Sequence, residues 1–271
     1  MMFVNGVQTD AVSAHDRGLT YGDGVFRTFP MHAGKPLLWR RQYAKLAHDC
    51  RALKIDCPTA AVLERDLALI AATEPECVVK IIVTRGDSAR GYAIPASSTP
   101  TRIVSASPLP EYPLRLSEQG VRVHLCRTRL SLQPALAGIK HLNRLENVLA
   151  RSEWSDPGIA EGLMCDSEDH VVGGTMSNLF VFSGGTLFTP PLTGCGVCGV
   201  VRDLVMELAG EQAISLVVAA IGIDELLAAD ELFVVNSVIG LWPVAALERK
   251  VWKARAISAK FQQWISDAQD D

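Results

Sequence analysis

Three prolines within residues 108–113 constrain this chain more than any other stretch. In Ser107-Pro-Leu-Pro-Glu-Tyr-Pro-Leu114 each ring fixes its own φ and keeps the residue before it out of the helical region, so neither a helix nor a central strand runs through. The segment reads as a stiff, extended connector. The 271 residues, 48% hydrophobic and 21% charged, are enough to bury a sizeable core on either side of it. The expected organisation is an N-terminal α/β domain over residues 1–107, a linker over 108–114 and a C-terminal domain over 115–271, the whole of mixed α/β (α+β) class.

Before the linker, Phe3-Val-Asn-Gly-Val-Gln reads as a hairpin about an Asn-Gly turn. The glycine-rich loop His15-Asp-Arg-Gly-Leu-Thr-Tyr-Gly-Asp-Gly24 is either a shaped site or a solvent-facing connection, and it leads into a strand over 25–31. Helical spacing marks 37–55 and 60–72, and strands are expected over 77–84 and 101–106. Between those strands, the two arginines of Arg85-Gly-Asp-Ser-Ala-Arg-Gly-Tyr92 suit a carboxylate-bearing ligand or are plain surface charge.

After the linker, strands are expected over 121–127, 161–166, 177–183, 185–189 and 231–236, with helices over 142–154, 200–209, 224–229 and 254–269 and an apolar turn over 238–244. In the first of these helices Leu142, Leu145, Val148 and Leu149 form one apolar stripe.

Lys140 stands immediately before that helix, behind the apolar and small residues 134–139. Such surroundings disfavour its charged form, drop its pKa below the ~10.4 of a free lysine and leave the neutral amine that Schiff-base chemistry requires. The alternative is a lysine snorkelling from a surface helix. Gly194-Cys-Gly-Val-Cys-Gly-Val-Val-Arg202 runs from a glycine-rich turn into a helix, aiming backbone N–H groups and the helix dipole at a phosphate unless it is an ordinary tight turn.

A net charge of -4 and a pI near 5.9 offer no basic footprint for nucleic acid. The N-terminus lacks a basic segment followed by an apolar run, and no stretch approaches the roughly 18 apolar residues of a spanning helix, so a cytoplasmic protein without a membrane partner is expected. Seven scattered cysteines are not a disulfide framework, and Cys195-Gly-Val-Cys198, alone, is weak for zinc; no metal is expected.

Taken in order, the blocks Asn5-Gly6, Asp16-Arg17 through Tyr21-Gly-Asp-Gly-Val-Phe26, Arg85 through Gly91-Tyr92, Ala137-Gly-Ile-Lys-His-Leu-Asn-Arg144, Ser177-Asn-Leu-Phe180 and Asn236-Ser237 through Pro243-Val244 resemble the fold type IV pyridoxal phosphate enzymes along nearly the whole chain. The resemblance implies two α/β domains with pyridoxal 5'-phosphate between them, a small-molecule substrate and usually a homodimer. It makes Lys140 the Schiff-base residue and proton carrier, and Thr28 a cofactor-facing residue able to protonate a leaving group. Val200 and Val201 match positions whose backbone amides hold the phosphate, Ser237 the one whose hydroxyl does so, and Asn178 a further cofactor contact. Arg90 and Tyr92 become candidates for substrate carboxylates.

Two positions depart from the pattern. Lys45 stands where the family commonly has a phosphate-binding arginine, which keeps the charge and loses the bidentate fork. Gly173 stands where a glutamate meets the pyridine nitrogen, which weakens the cofactor as electron sink. That loss harms an aminotransferase more than a lyase whose product ring becomes aromatic. The expected reaction is conversion of 4-amino-4-deoxychorismate to 4-aminobenzoate and pyruvate, a step of folate synthesis. The alternatives are a D- or branched-chain amino acid aminotransferase, and a relative that has given up the cofactor and serves as a binding or assembly protein.

Overall fold

The computed structural model describes residues 1–269. It forms two compact units, one of Met1–Pro110 with Ile139–Asn143, the other of Glu111–Gly138 with the chain from Arg144 onward. The division expected from the linear sequence places Lys140 in the C-terminal domain. Residues 139–143 pack instead in the first unit, because His141 pairs with Val25 across an antiparallel bridge and Leu142 N–H donates to Gly24 O at 3.0 Å.

In the first unit β1 (Met2–Val4) and β2 (Val7–Gln8) form the expected hairpin, turning at Asn5 and Gly6 with φ of 53° and 84°. A short helix α1 (Arg17–Tyr21) occupies the glycine-rich loop. Then come β3 (Gly24–His32), β4 (Lys35–Pro36), α2 (Trp39–Ala52), α3 (Ala60–Ala71), β5 (Cys77–Thr84) and β6 (Thr101–Ser107). The strands make one six-stranded sheet in the order β2-β1-β6-β5-β3-β4.

Alternation along these strands decides their two faces. Val25, Phe29 and Met31 of β3, Val79, Ile81 and Val83 of β5 and Val104 of β6 are buried with Leu46, Leu63, Leu67 and Ile70 of α2 and α3. Each such side chain contributes about 1.5–3 kcal/mol on burial. The helices thus take one face, and the cross-strand set Thr28, Lys80 and Ser105, with Phe26, lies on the other.

The second unit runs through α4 (Arg115–Glu118), β7 (Val121–Leu130), α5 (Leu145–Arg151), β8 (Ile159–Asp166), β9 (Val171–Gly174), β10 (Asn178–Ser183), β11 (Thr186–Thr189), α6 (Val200–Glu211), β12 (Ser215–Val218), α7 (Ile223–Ala228), β13 (Glu231–Asn236), β14 (Gly240–Leu247), β15 (Lys250–Val251) and α8 (Ala256–Gln269). Its nine-stranded sheet has the order β12-β11-β10-β13-β14-β7-β8-β9, with β15 on β14. Parallel pairs β11·β12, β14·β7 and β7·β8 mix with antiparallel ones.

Two stretches differ from the expected elements. Residues 238–244 are mostly strand, since the buried Leu241, Trp242 and Val244 pair in β14 between β13 and β7. The helix expected over 142–154 is only Leu145–Arg151, because the bonds to β3 hold residues 140–142 extended. Its stripe is not core: Leu145, Val148 and Leu149 are 76%, 61% and 58% exposed in the chain alone. Among the described residues no helix is long and apolar enough to cross a membrane.

Candidate active site

In the first unit the Lys140 segment is built into the sheet by backbone bonds on both sides. Phe26 N–H donates to Lys140 O at 3.0 Å, and Lys140 N–H donates to the Asp49 carboxylate at 3.0 Å. Asp49 is buried on α2 and ion-paired with the buried Arg27 guanidinium of β3. Gly24 is required at the crossing: a Cβ there would come within 2.7 Å of Val83 O and 2.8 Å of Leu142 Cδ1. The lysine side chain emerges on the face away from α2 and α3, its Nζ 4.6 Å from the centre of the Phe26 ring.

Two further sequence candidates belong to this unit. Thr28 follows Phe26 by two residues and points the same way. Lys45 lies one helical turn before Asp49 on α2, hence on the stripe that faces the Lys140 segment. Lys80, which is not among the sequence candidates, is opposite Thr28 in the sheet and has its Nζ 5.2 Å from the Phe26 ring centre. A charged residue between the buried Val79 and Ile81 on an alternating strand was the available signal for it.

The two loop arginines separate. Arg85 is buried and donates to Asp23 Oδ2 at 2.7 Å and Oδ1 at 3.0 Å, and to the carbonyls of Leu53 and Lys54, so it is structural and not a ligand group. Burial opposes the charge on Asp23, yet the guanidinium groups of Arg85 and Arg17 hold its carboxyl below the usual range. Arg90 and Tyr92 are exposed, Tyr92 at 86%, with the Tyr92 ring 5.4 Å from that of Tyr21.

In the second unit the expected phosphate cradle is the start of α6, whose first-turn amides, Val200 and Val201 among them, have no carbonyl partner within the helix. Asn178 shapes this end: its carboxamide donates to Val197 O at 2.8 Å and accepts Gly199 N–H at 3.2 Å. Ser237 sits at the same end of the sheet, since Asn178 pairs with Val235, two residues earlier. Its turn is made by Asn236, whose Oδ1 accepts the Val238 and Ile239 amides. The donor set fits an anionic phosphate.

Gly173 lies in β9, where a Cβ would come 2.9 Å from Ser177 O. A longer side chain therefore does not fit without moving backbone. The following turn is held by Glu161, absent from the sequence candidates, which is 1% exposed. It accepts the amides of Gly162, Thr175 and Met176 and the hydroxyls of Thr175 and Ser177 at 2.5–3.2 Å. A glutamate on a strand followed by a Thr-x-Ser turn gave no local warning, because the contact spans 14 to 16 residues.

Among the described residues no cluster of histidine, cysteine and carboxylate side chains could hold a metal ion. The cysteines are free, and burial pushes the Cys195 thiol up to about 11.

Residues 24–247 match the family model described as amino-transferase class IV. The chain is 35% identical over 248 residues to an aminodeoxychorismate lyase of Vibrio harveyi, covering 91% of each protein. It is 25% identical over 248 residues to the branched-chain-amino-acid aminotransferase of Escherichia coli, covering 88% of this chain and 80% of that one. Among solved structures it resembles the 4-amino-4-deoxychorismate lyase of Pseudomonas aeruginosa, with 48% identity, full coverage of both chains and a TM-score of 0.96. The matched span, the six-stranded and nine-stranded sheets and the seated lysine agree: the chain belongs to the class IV aminotransferase family, the fold type IV enzymes.

Proposed function

We propose that this chain is a pyridoxal phosphate-dependent lyase that converts 4-amino-4-deoxychorismate to 4-aminobenzoate and pyruvate, acting in the cytoplasm as a homodimer. The observation that carries the reading is the placement of Lys140 beside Phe26 on the sheet face that also bears Thr28 and Lys80, in a chain 48% identical to a lyase of that name. When bound, pyridoxal phosphate supplies an aldehyde that captures an amine and a ring that withdraws electrons from the adjacent carbon.

The chain's own residues do the rest. Lys140 Nζ takes the ring proton of the substrate, and Thr28 Oγ1 donates the proton that lets enolpyruvate leave. The first-turn amides of α6 at Val200 and Val201, with the Ser237 hydroxyl, hold the phosphate, and Asn178 keeps the α6 terminus in place. Arg90, Tyr92 and Lys80 bind the two substrate carboxylates. Gly173 leaves the pyridine nitrogen without a carboxylate from β9, which favours the lyase over amino-group transfer. The exposed Leu145, Val148 and Leu149 support a second copy of the chain as partner, because a stripe of that kind is rarely left to water.

The test is purified protein with pyridoxal phosphate and 4-amino-4-deoxychorismate, following 4-aminobenzoate and pyruvate beside Lys140→Ala. Equimolar products that vanish in the variant are expected. No product, together with amino-group transfer from an amino acid to 2-oxoglutarate, would replace the lyase with an aminotransferase. A protein that neither colours with the cofactor nor turns over either substrate would leave only a binding role.

A further inference from the structure

The most elaborate polar cluster in the first unit is centred on Asp23 and not on any group assigned above to the chemistry. Arg17, only 3% exposed, donates through Nε to Asp23 Oδ2 at 2.8 Å. The rest of its guanidinium turns to the loop after β5: Nη1 donates to Ser88 Oγ and Gly91 O, both at 3.0 Å, and Nη2 to Tyr92 O at 3.4 Å. Tyr21, one turn along α1 and under the Arg17 guanidinium at 4.8 Å, accepts the Gly91 amide at 3.0 Å and packs on the Tyr92 ring. Asp23 is shared with Arg85 at the root of the same loop.

The cluster also reaches the Lys140 segment. Asp23 lies between Gly22, whose carbonyl accepts Asn143 Nδ2 at 3.3 Å, and Gly24, whose carbonyl accepts Leu142 N–H at 3.0 Å. One short stretch, 22–24, is therefore bonded on one side to the residues that follow Lys140 and on the other to both arginines that hold the loop. Burying two guanidinium groups on one carboxylate is costly unless their other donors find acceptors, and here the Ser88 hydroxyl and the carbonyls of Gly91, Tyr92, Leu53 and Lys54 accept from them.

We infer that Arg17 is a positioning residue: through Asp23, Ser88, Gly91 and Tyr92 it fixes the 86–92 loop relative to Lys140, and so sets Arg90 and Tyr92 for a substrate bearing carboxylates. The inference rests on the lyase reading for the substrate, not for the geometry. Arg17 touches no reacting atom, so its loss acts on substrate capture and leaves the chemistry of Lys140 in place.

The test uses Arg17→Lys, which keeps a charge for Asp23 but cannot form the fork, and the milder Tyr21→Phe, which deletes only the acceptor of the Gly91 amide. Native trypsin cleavage after Arg90 reports loop order without reference to activity. Both variants are expected to be cut faster there, Arg17→Lys by about tenfold. Both are expected to raise KM for 4-amino-4-deoxychorismate, Arg17→Lys by about tenfold with kcat within about threefold, and to keep the wild-type absorbance on adding pyridoxal phosphate. Cleavage at the wild-type rate in both variants overturns the clamp. Faster cleavage with unchanged KM, or a fall in kcat at constant KM, overturns the positioning role. If Arg17→Lys does not fold, Tyr21→Phe decides the same comparisons. If the wild-type protein forms no product, that failure belongs to the lyase reading, and the cleavage comparison still decides whether Arg17 orders the loop.

Discussion

Removal of the Asp49 carboxylate is a quantitative test of how Lys140 is held. Asp49 and Arg27 are 1% and 3% exposed and paired with each other, and Asp49 also accepts the Lys140 amide. Deleting one member of such a pair leaves a buried charge uncompensated, at a cost of about 3–5 kcal/mol. The lost bond to the Lys140 amide adds about 0.5–1.5 kcal/mol. Asp49→Ala is thus expected to lower the unfolding free energy by about 4–6 kcal/mol, a large share of the roughly 5–15 kcal/mol typical of a folded protein. With a urea slope of about 3 kcal/mol/M the midpoint falls by roughly 1.3–2 M. Replacing both members, Arg27→Met with Asp49→Leu, removes charge and desolvation together and is expected to return to within about 2 kcal/mol of wild type. Urea unfolding of the wild type, the two single variants and the double variant gives the coupling energy, expected to be at least about 2 kcal/mol. A coupling near zero, or a loss below about 1 kcal/mol for Asp49→Ala, refutes the argument that this pair anchors the Lys140 segment.

Three other outcomes are expected. Burial opposes ionisation of Glu153, but the Arg127 and Thr128 amides and His124 overcome it and hold the carboxyl at about 2 against an ordinary 4.5, so it contributes stability above pH 4.5 that is lost as pH falls from there toward 2. The urea midpoints of wild type and Glu153→Gln should differ at pH 7, lie closer together at pH 3 and converge only near pH 2; a constant difference rejects the assignment. Lys80→Gln should raise KM for the lyase substrate about tenfold with cofactor absorbance unchanged, and an unchanged KM removes Lys80 from the carboxylate site. Leu145→Ser with Val148→Ser should shift the protein to monomer in analytical ultracentrifugation, whereas an unchanged mass places the dimer contact elsewhere.

Local periodicity carried much of the fold. Strand Cys77–Thr84 and strand Glu231–Asn236 were legible residue by residue because continuous β-branched and apolar runs bounded by turn signals have few other solutions. The hairpin at Asn5-Gly6 was legible because a two-residue turn needs the conformations that those residues supply. Periodicity misled at residues 142–154, where an amphipathic stripe is blind to whether its partner is the chain's own core, and where two backbone bonds to β3 outweighed helical propensity.

The site divides the same way. A lysine among small residues, a glycine-rich turn entering a helix and the order of the six blocks are properties of the linear chain, and they were sufficient to identify the family and to single out Lys140. The sequence could not say that Arg85 serves Asp23 while Arg90 faces solvent, since the two differ only in which neighbours the fold brings to them. Nor could it show Asp49 under the Lys140 amide, Lys80 across from Thr28, Glu161 inside the 174–177 turn or Arg17 on the 88–92 loop. Those contacts span 14 to 91 residues of chain, and a buried ion pair or hydrogen bond at that separation leaves no periodic trace; only the tertiary structure decides which charge meets which, because burial makes each unpaired choice cost several kcal/mol.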